Sequence, residues 1–178
     1  MATLIIPSFL QDPPGVVLHP FASVIARTSN PQSTGFSMQV DEEATRRAIL
    51  EVNEAFYRAF EALDVDALDA IWADRSYTSV VHPGREALTG WEEVRASWAE
   101  IFSGTERIRF RLSDVTLEIR GKLAYLMAHE HIRHGDDVLV SLQATNLFEL
   151  IDGRWWMILH HASPISDDAG EPDTDYLQ

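Results

Sequence analysis

The stretch ATNLFELIDGRWWMILHHASP, residues 144–164, constrains this chain more than any other. It divides at Asp152-Gly153, a dipeptide suited to the positive φ angles of a type I′ turn, into two arms that read as the strands of a hairpin. The arms carry Asn146, the Trp155-Trp156 pair and His160-His161 among apolar neighbours. Polar groups on a largely buried hairpin must find partners there, so they are candidates to line a pocket.

The residues before it supply the sheet that such a hairpin needs. In RIRFRLSDVTLEIRG, Ile108, Phe110 and Leu112 alternate with arginines, then Val115, Leu117 and Ile119 alternate with polar residues. The phase slips at Ser113-Asp114, which predicts a bulge and a bend. Turns at Gly121-Lys122 and Gly135-Asp136-Asp137 connect this strand to KLAYLMAHEHIRH and VLVSLQATNLFEL, giving a four-strand antiparallel meander. Further upstream, Ile49, Val52, Phe56, Phe60 and Leu63 recur at three- and four-residue steps, which predicts an amphipathic helix of about six turns from Asp41. Asp64 or Asp66 caps a short second helix with Leu68, Ile71 and Trp72 inward. A strand, SYTSVVH, stops at His82-Pro83-Gly84. Thr89 and Glu92 have the spacing of a capping box, opening a third helix that buries Trp91, Val94, Trp98, Ile101 and Phe102 and ends at Gly104. Three helices, one strand and a meander make an α+β layout, a bent sheet folded around helices.

The chain of 178 residues is long enough for one domain with a buried core. That domain is expected over residues 41–166, between an N-terminal extension (1–40) and an acidic tail (167–178) of disordered composition. The extension holds one acid (Asp12), one base (Arg27) and five of the eight prolines, and is expected to pack on the domain or on a partner; Met38 is an alternative start. A net charge of −14 repels phosphate backbones and anionic lipid, which excludes nucleic acid and membrane surfaces as expected partners. There is no cysteine, so disulfides, thiolate catalysis and thiolate metal sites are excluded. No apolar run approaches the roughly 18 to 20 residues needed to span a bilayer, and a cytoplasmic setting is expected.

NEAFYRAFEALDVDALDAIWA, TSVVHPG with LTGWEEVRASW, and ATNLFEL with DGRWWMILHHASP together resemble the nuclear-transport-factor-2-like superfamily on its SnoaL-like branch. The resemblance covers about residues 45–165. It implies a conical α+β barrel, a strongly bent and mainly antiparallel sheet wrapped around three helices, with a pocket between helices and concave sheet. It also implies a homodimer through the outer face of the sheet. The superfamily includes ketosteroid isomerases, polyketide cyclases, scytalone dehydratase and epoxide hydrolases beside members without catalysis, so function must be argued from the site. The isomerase-type members place an Asp before a proline at the end of the first strand and a Tyr donor in the first helix. Here His82 stands before Pro83, with Phe56 or Tyr57 near the helix position.

His82 sits where a cone-shaped pocket opens and suits a general base or acid; its structural alternative is a turn-fixing hydrogen bond. Strand alternation puts Glu130 on one face with Ala128 and Leu126, and His129 and His131 on the other. If Glu130 faces the pocket, burial raises its pKa and makes it a usable base; the alternative is a carboxylate held by an arginine of the neighbouring strand. The His-x-His pair has chelating spacing but no evident third ligand, so no metal is assigned. Asn146 shares its face with Ala144, Leu142 and Phe148, where an amide can both donate and accept. On the last strand Trp155, Met157, Leu159 and His161 alternate with Trp156, Ile158 and His160, and both histidines are candidates. Tyr57, Trp72, Trp91, Trp98 and Phe148 are the candidate aromatic walls for a small apolar organic ligand. No phosphate loop or nucleophilic triad stands out, and no cofactor is implied. Two functions follow: cofactor-independent acid/base chemistry on such a ligand, or a non-catalytic dimerisation module. An open cavity with polar groups favours the first, and one plugged by Trp and Phe the second.

Overall fold

The computed structural model describes residues 42–165 except 107 and 136, and the expectations for residues 1–40 and 167–178 lie outside it. Its elements are α1 (Glu42–Ala62), α2 (Val65–Leu68), β1 (Ser79–Val81), β2 (Leu88–Thr89), α3 (Trp91–Ser103), β3 (Arg109–Arg120), β4 (Leu123–His134), β5 (Asp137–Ile151) and β6 (Arg154–Pro164). The strands form one mixed sheet in the order β2-β1-β6-β5-β4-β3, with β1 parallel to β6 and the other pairs antiparallel. β2 and β3 are its two edges, so hydrogen bonds do not close the sheet into a barrel.

Turn chemistry fixes the register. Asp152 and Gly153 both take positive φ, 51° and 82°, as a type I′ turn requires. Asp114 also has positive φ, 53°, and the β3–β4 register shifts between Ser113 and Thr116. That bulge lets Phe110 and Leu112 share a face with Leu117 and Ile119 across the phase slip. A second shift, between Leu147 and Phe148 on β5, leaves Ile158 of β6 without a partner. Trp155 and Met157 therefore point inward before it, and His160 and Ala162 after it. Simple alternation along β6 is thus overturned: His161 lies on the outer face, exposed, while its neighbour is buried.

The helices cover the concave face. Phe56 is the centre of the core, meeting Tyr57, Phe60, Trp72 and Trp98 edge-on at centroid distances of 5.1 to 6.5 Å. Asp64 caps α2 by accepting from the Ala67 amide at 3.0 Å. The capping box is absent: Gly90 is the N-cap of α3, with no side-chain hydrogen bond. Thr89 is drawn into β2 opposite Ser79, and its hydroxyl sits 3.2 Å from that of Ser79 instead. The strand expected over SYTSVVH shortens to Ser79–Val81.

Candidate active site

α1 lays a polar seam along the sheet at four-residue spacing, which keeps side chains on one helix face. Asn53 meets β5, Tyr57 meets β4 and Glu61 meets β3: Asn53 Oδ1 accepts from Asn146 Nδ2 at 2.8 Å, Tyr57 donates to Glu130 Oε1 at 2.6 Å, and Glu61 Oε1 accepts from the Phe110 amide at 2.8 Å. Across the sheet, Ala128, Ala144 and Ala162 stand side by side on β4, β5 and β6. Their methyl groups leave room that larger side chains would fill. On one side of this row lie Leu126, Asn146 and His160; on the other lie Glu130 and Leu142.

The space beside the row is a cavity lined by Phe56, Phe60, Pro83, Trp98, Phe110, Ile132, Leu142 and Ala162, with His82, Glu130 and His160 as its polar members. The cavity itself is small, about 20 Å³, and the space continuous with it toward solvent brings the total to about 330 Å³. It stands between the two extremes foreseen from the sequence: aromatic walls narrow it, and three proton-transfer groups reach it. Parallel pairing puts Val80 beside His160, so His82, two residues on, joins the same face next to Ala162.

Burial shifts each of these polar groups toward its neutral form. Burial pushes the Glu130 carboxyl up to about 7, with the Tyr57 hydrogen bond pulling the other way. Burial, then the neighbouring carboxyl, raises Tyr57 well above its usual 10, so the phenol keeps its proton. Burial lowers His82 to about 4, assisted by Arg85. Burial lowers His160 to about 3, assisted by His82 and His161. Both imidazoles are therefore neutral near pH 7, and their tautomers follow from their partners. Ser97 donates its hydroxyl proton to the Val94 carbonyl at 2.7 Å, so His82 Nε2, 3.0 Å from Ser97 Oγ, must be the donor. Asn146 Oδ1 can only accept, so His160 Nδ1, 2.7 Å away, carries the proton and Nε2 keeps its lone pair. Glu130, Tyr57, Asn146 and His160 thus form one hydrogen-bonded line, closed by a 3.4 Å contact from Asn146 Nδ2 to the Tyr57 oxygen.

Of the sequence candidates, His82, Glu130, His160 and Trp98 line the cavity. Asn146, Tyr57 and Phe148 lie buried behind it, Trp72 and Trp91 stack 5.9 Å apart outside its lining, and His161 faces away. Glu130 is held by the Tyr57 phenol. His82 bonds to the Ser97 hydroxyl. On the outer face both ring nitrogens of His131 already bond to Ser113 and Ser141, at 2.9 and 2.8 Å, and His129 faces Asp114. Among the described residues no group of three or more metal-ligating side chains converges. Asn53 and the alanine row were missed from the sequence.

The SnoaL-like domain family matches residues 49–167, two thirds of the chain. The chain belongs to that family. A candidate dehydratase of the NTF2-like family from Streptomyces avermitilis is 33% identical, with 70% of this chain and 99% of that one covered and a TM-score of 0.64. A candidate calcium/calmodulin-dependent protein kinase type II association domain from Thiobacillus denitrificans is 31% identical, covers 65% and 93%, and has a TM-score of 0.61. The F-box protein SKIP8 of Arabidopsis thaliana is 30% identical over 121 residues, 67% of this chain; the SnoaL-like chain spans about half (51%) of that relative's length. Among the described residues no helix is long and apolar enough to cross a membrane.

Proposed function

We propose that this SnoaL-like protein binds a small, largely apolar organic molecule and carries out cofactor-independent acid/base chemistry on it. The observation that carries this reading is convergence: Glu130 of β4, His160 of β6 and His82 after β1, each nearly fully buried, line one apolar cavity. A core does not need three buried proton-transfer groups at one void, and burying them is costly. Glu130 is the proton carrier of the reading, because a pKa of about 7 lets it both take and return a proton at neutral pH. As carboxylate it removes a proton from a carbon next to a carbonyl. The proton then returns at another carbon, which isomerises the compound, or goes to a departing hydroxyl, which leaves as water. The likeness to a candidate dehydratase adds support to the second course.

The test is deuterium exchange at the α-carbon of cyclopentanone in D2O, followed by proton NMR. Wild type is expected to speed exchange over buffer, and Glu130→Gln to lose on the order of 100-fold of that acceleration. Equal exchange with the two proteins would remove Glu130 from the chemistry.

A second reading concerns assembly and rests on the opposite face of the sheet. Leu123, Tyr125 and Met127 project from β4 with 49%, 38% and 39% of their surface exposed, an apolar strip of the kind that a partner covers. The likeness to an association domain supports a second copy as the occupant, giving a homodimer. Sedimentation of wild type as a dimer and of Met127→Glu as a monomer is the expected result; a monomeric wild type contradicts it.

A further inference from the structure

The cavity's hydrogen-bonding sense is set before any ligand arrives. Asn53 Oδ1 occupies the amide of Asn146 at 2.8 Å, which turns Asn146 Oδ1 toward His160 Nδ1 at 2.7 Å. Reversing the Asn146 amide would set its Oδ1 against Asn53 Oδ1 and against the Tyr57 oxygen, whose proton is donated to Glu130. The relay therefore leaves His160 Nε2 as a lone-pair acceptor, with no partner of its own among the described residues. Glu130 has one oxygen committed to Tyr57 and one left at the cavity it lines. No Lys or Arg lines the cavity among the described residues. Trp98, which does line it, carries an indole N–H that is buried and without a partner.

We propose that the cavity recognises an uncharged hydroxyl compound whose O–H donates to His160 Nε2, and that Asn53 is the positioning residue that fixes this preference through Asn146. A hydroxyl satisfies such a site because it brings a proton to donate to that lone pair. An ether of the same shape leaves the lone pair unanswered, and a carboxylate brings a negative charge with no Lys or Arg among the described lining residues to meet it. Aromatic rings on Phe56, Phe60, Phe110 and Trp98 favour a flat carbon frame. The inference rests on the binding cavity of the proposed function but not on its catalysis.

The experiment uses the full chain and three probes, phenol, anisole and benzoate, with affinities from NMR titration. Phenol is expected to bind about tenfold more tightly than anisole, and benzoate not to bind. In Asn53→Leu, which removes the acceptor for Asn146, the preference for phenol should fall to about twofold or less. Asn53→Asp keeps an acceptor and should retain the preference. Ala162→Leu should block both neutral probes by filling the cavity. Should Asn53→Leu fail to fold, 15N NMR of the wild type replaces it: His160 must show a protonated Nδ1 and an unprotonated Nε2, and the reverse pattern overturns the proposal. Equal binding of phenol and anisole overturns this inference and leaves the proposed chemistry standing. No binding of either overturns both.

Discussion

His129, Glu130 and His131 are consecutive on β4, and His160 and His161 on β6, yet within each set neighbours have opposite environments. Glu130 and His160 point to the concave face, 2% and 5% exposed, where helices exclude water and burial moves their pKa values toward the neutral form. Their neighbours face outward. His131 is satisfied there by two serine hydroxyls, and His129 by a largely exposed Asp114. The residue types are alike and the backbone is shared, so the chemistry is decided by parity along the strand. Parity in turn is reset by single-residue bulges, at Asp114 in β3 and Ile158 in β6.

The difference between faces should be largest in packing. Phe56→Ala removes the ring around which the concave core is built and is expected to cost about 3 to 5 kcal/mol. Leu123→Ala on the convex face should cost about 0.5 kcal/mol or less in the folded monomer, read from urea unfolding at low concentration. Comparable losses at the two positions would erase the distinction.

Charge comes next. The Glu130 pKa is raised from 4.5 to about 7 on folding, so its contribution to stability is full below pH 4.5 and is lost as pH rises to about 7. The gap is worth on the order of 3 kcal/mol. His82 and His160 are lowered, so theirs is present above about 6.5 and is lost as pH falls through about 4 and about 3. Glu130→Gln removes only the first effect. Relative to wild type it should therefore gain stability on the order of 3 kcal/mol between pH 4.5 and 8, measured by urea midpoints. A difference independent of pH contradicts the burial of this carboxyl.

The smallest contrast sits on adjacent residues. His160→Ala leaves a void and an unmatched Asn146 oxygen, about 2 kcal/mol in a thermal or urea melt. His161→Ala should stay within about 0.5 kcal/mol of wild type. If the two losses were reversed, the β6 bulge would be placed on the wrong side of His160.

Much of this was legible in the sequence wherever a local signal fixed the geometry. Asp152-Gly153 marked the hairpin, the arginine alternation around Ser113-Asp114 marked the first bulge, and alternation grouped Glu130 with Ala128 and Asn146 with Ala144 without saying which face is concave. The second bulge left no such mark. Trp155 through Leu159 are apolar on both faces, so a slip at Ile158 changes no visible pattern, and His160 could not be told from His161. Thr89 and Glu92 had the right spacing for a cap, but pairing of Thr89 with Ser79 took the hydroxyl away from the helix. Asn53 was hidden for a different reason: its partner is 93 residues away, and a polar residue within a helix reads as surface until the sheet is in place. The alanine row needs three strand registers at once, which no single segment encodes.

The account stands most directly on the protonation of one carboxyl, which 13C NMR of glutamate-labelled protein can follow through a pH titration. The Glu130 resonance should titrate with a midpoint near 7, and in Tyr57→Phe, where the phenol no longer steadies the carboxylate, the midpoint should move higher. A midpoint near 4.5, unchanged in Tyr57→Phe, would show a solvated carboxylate and contradict the acid/base cavity.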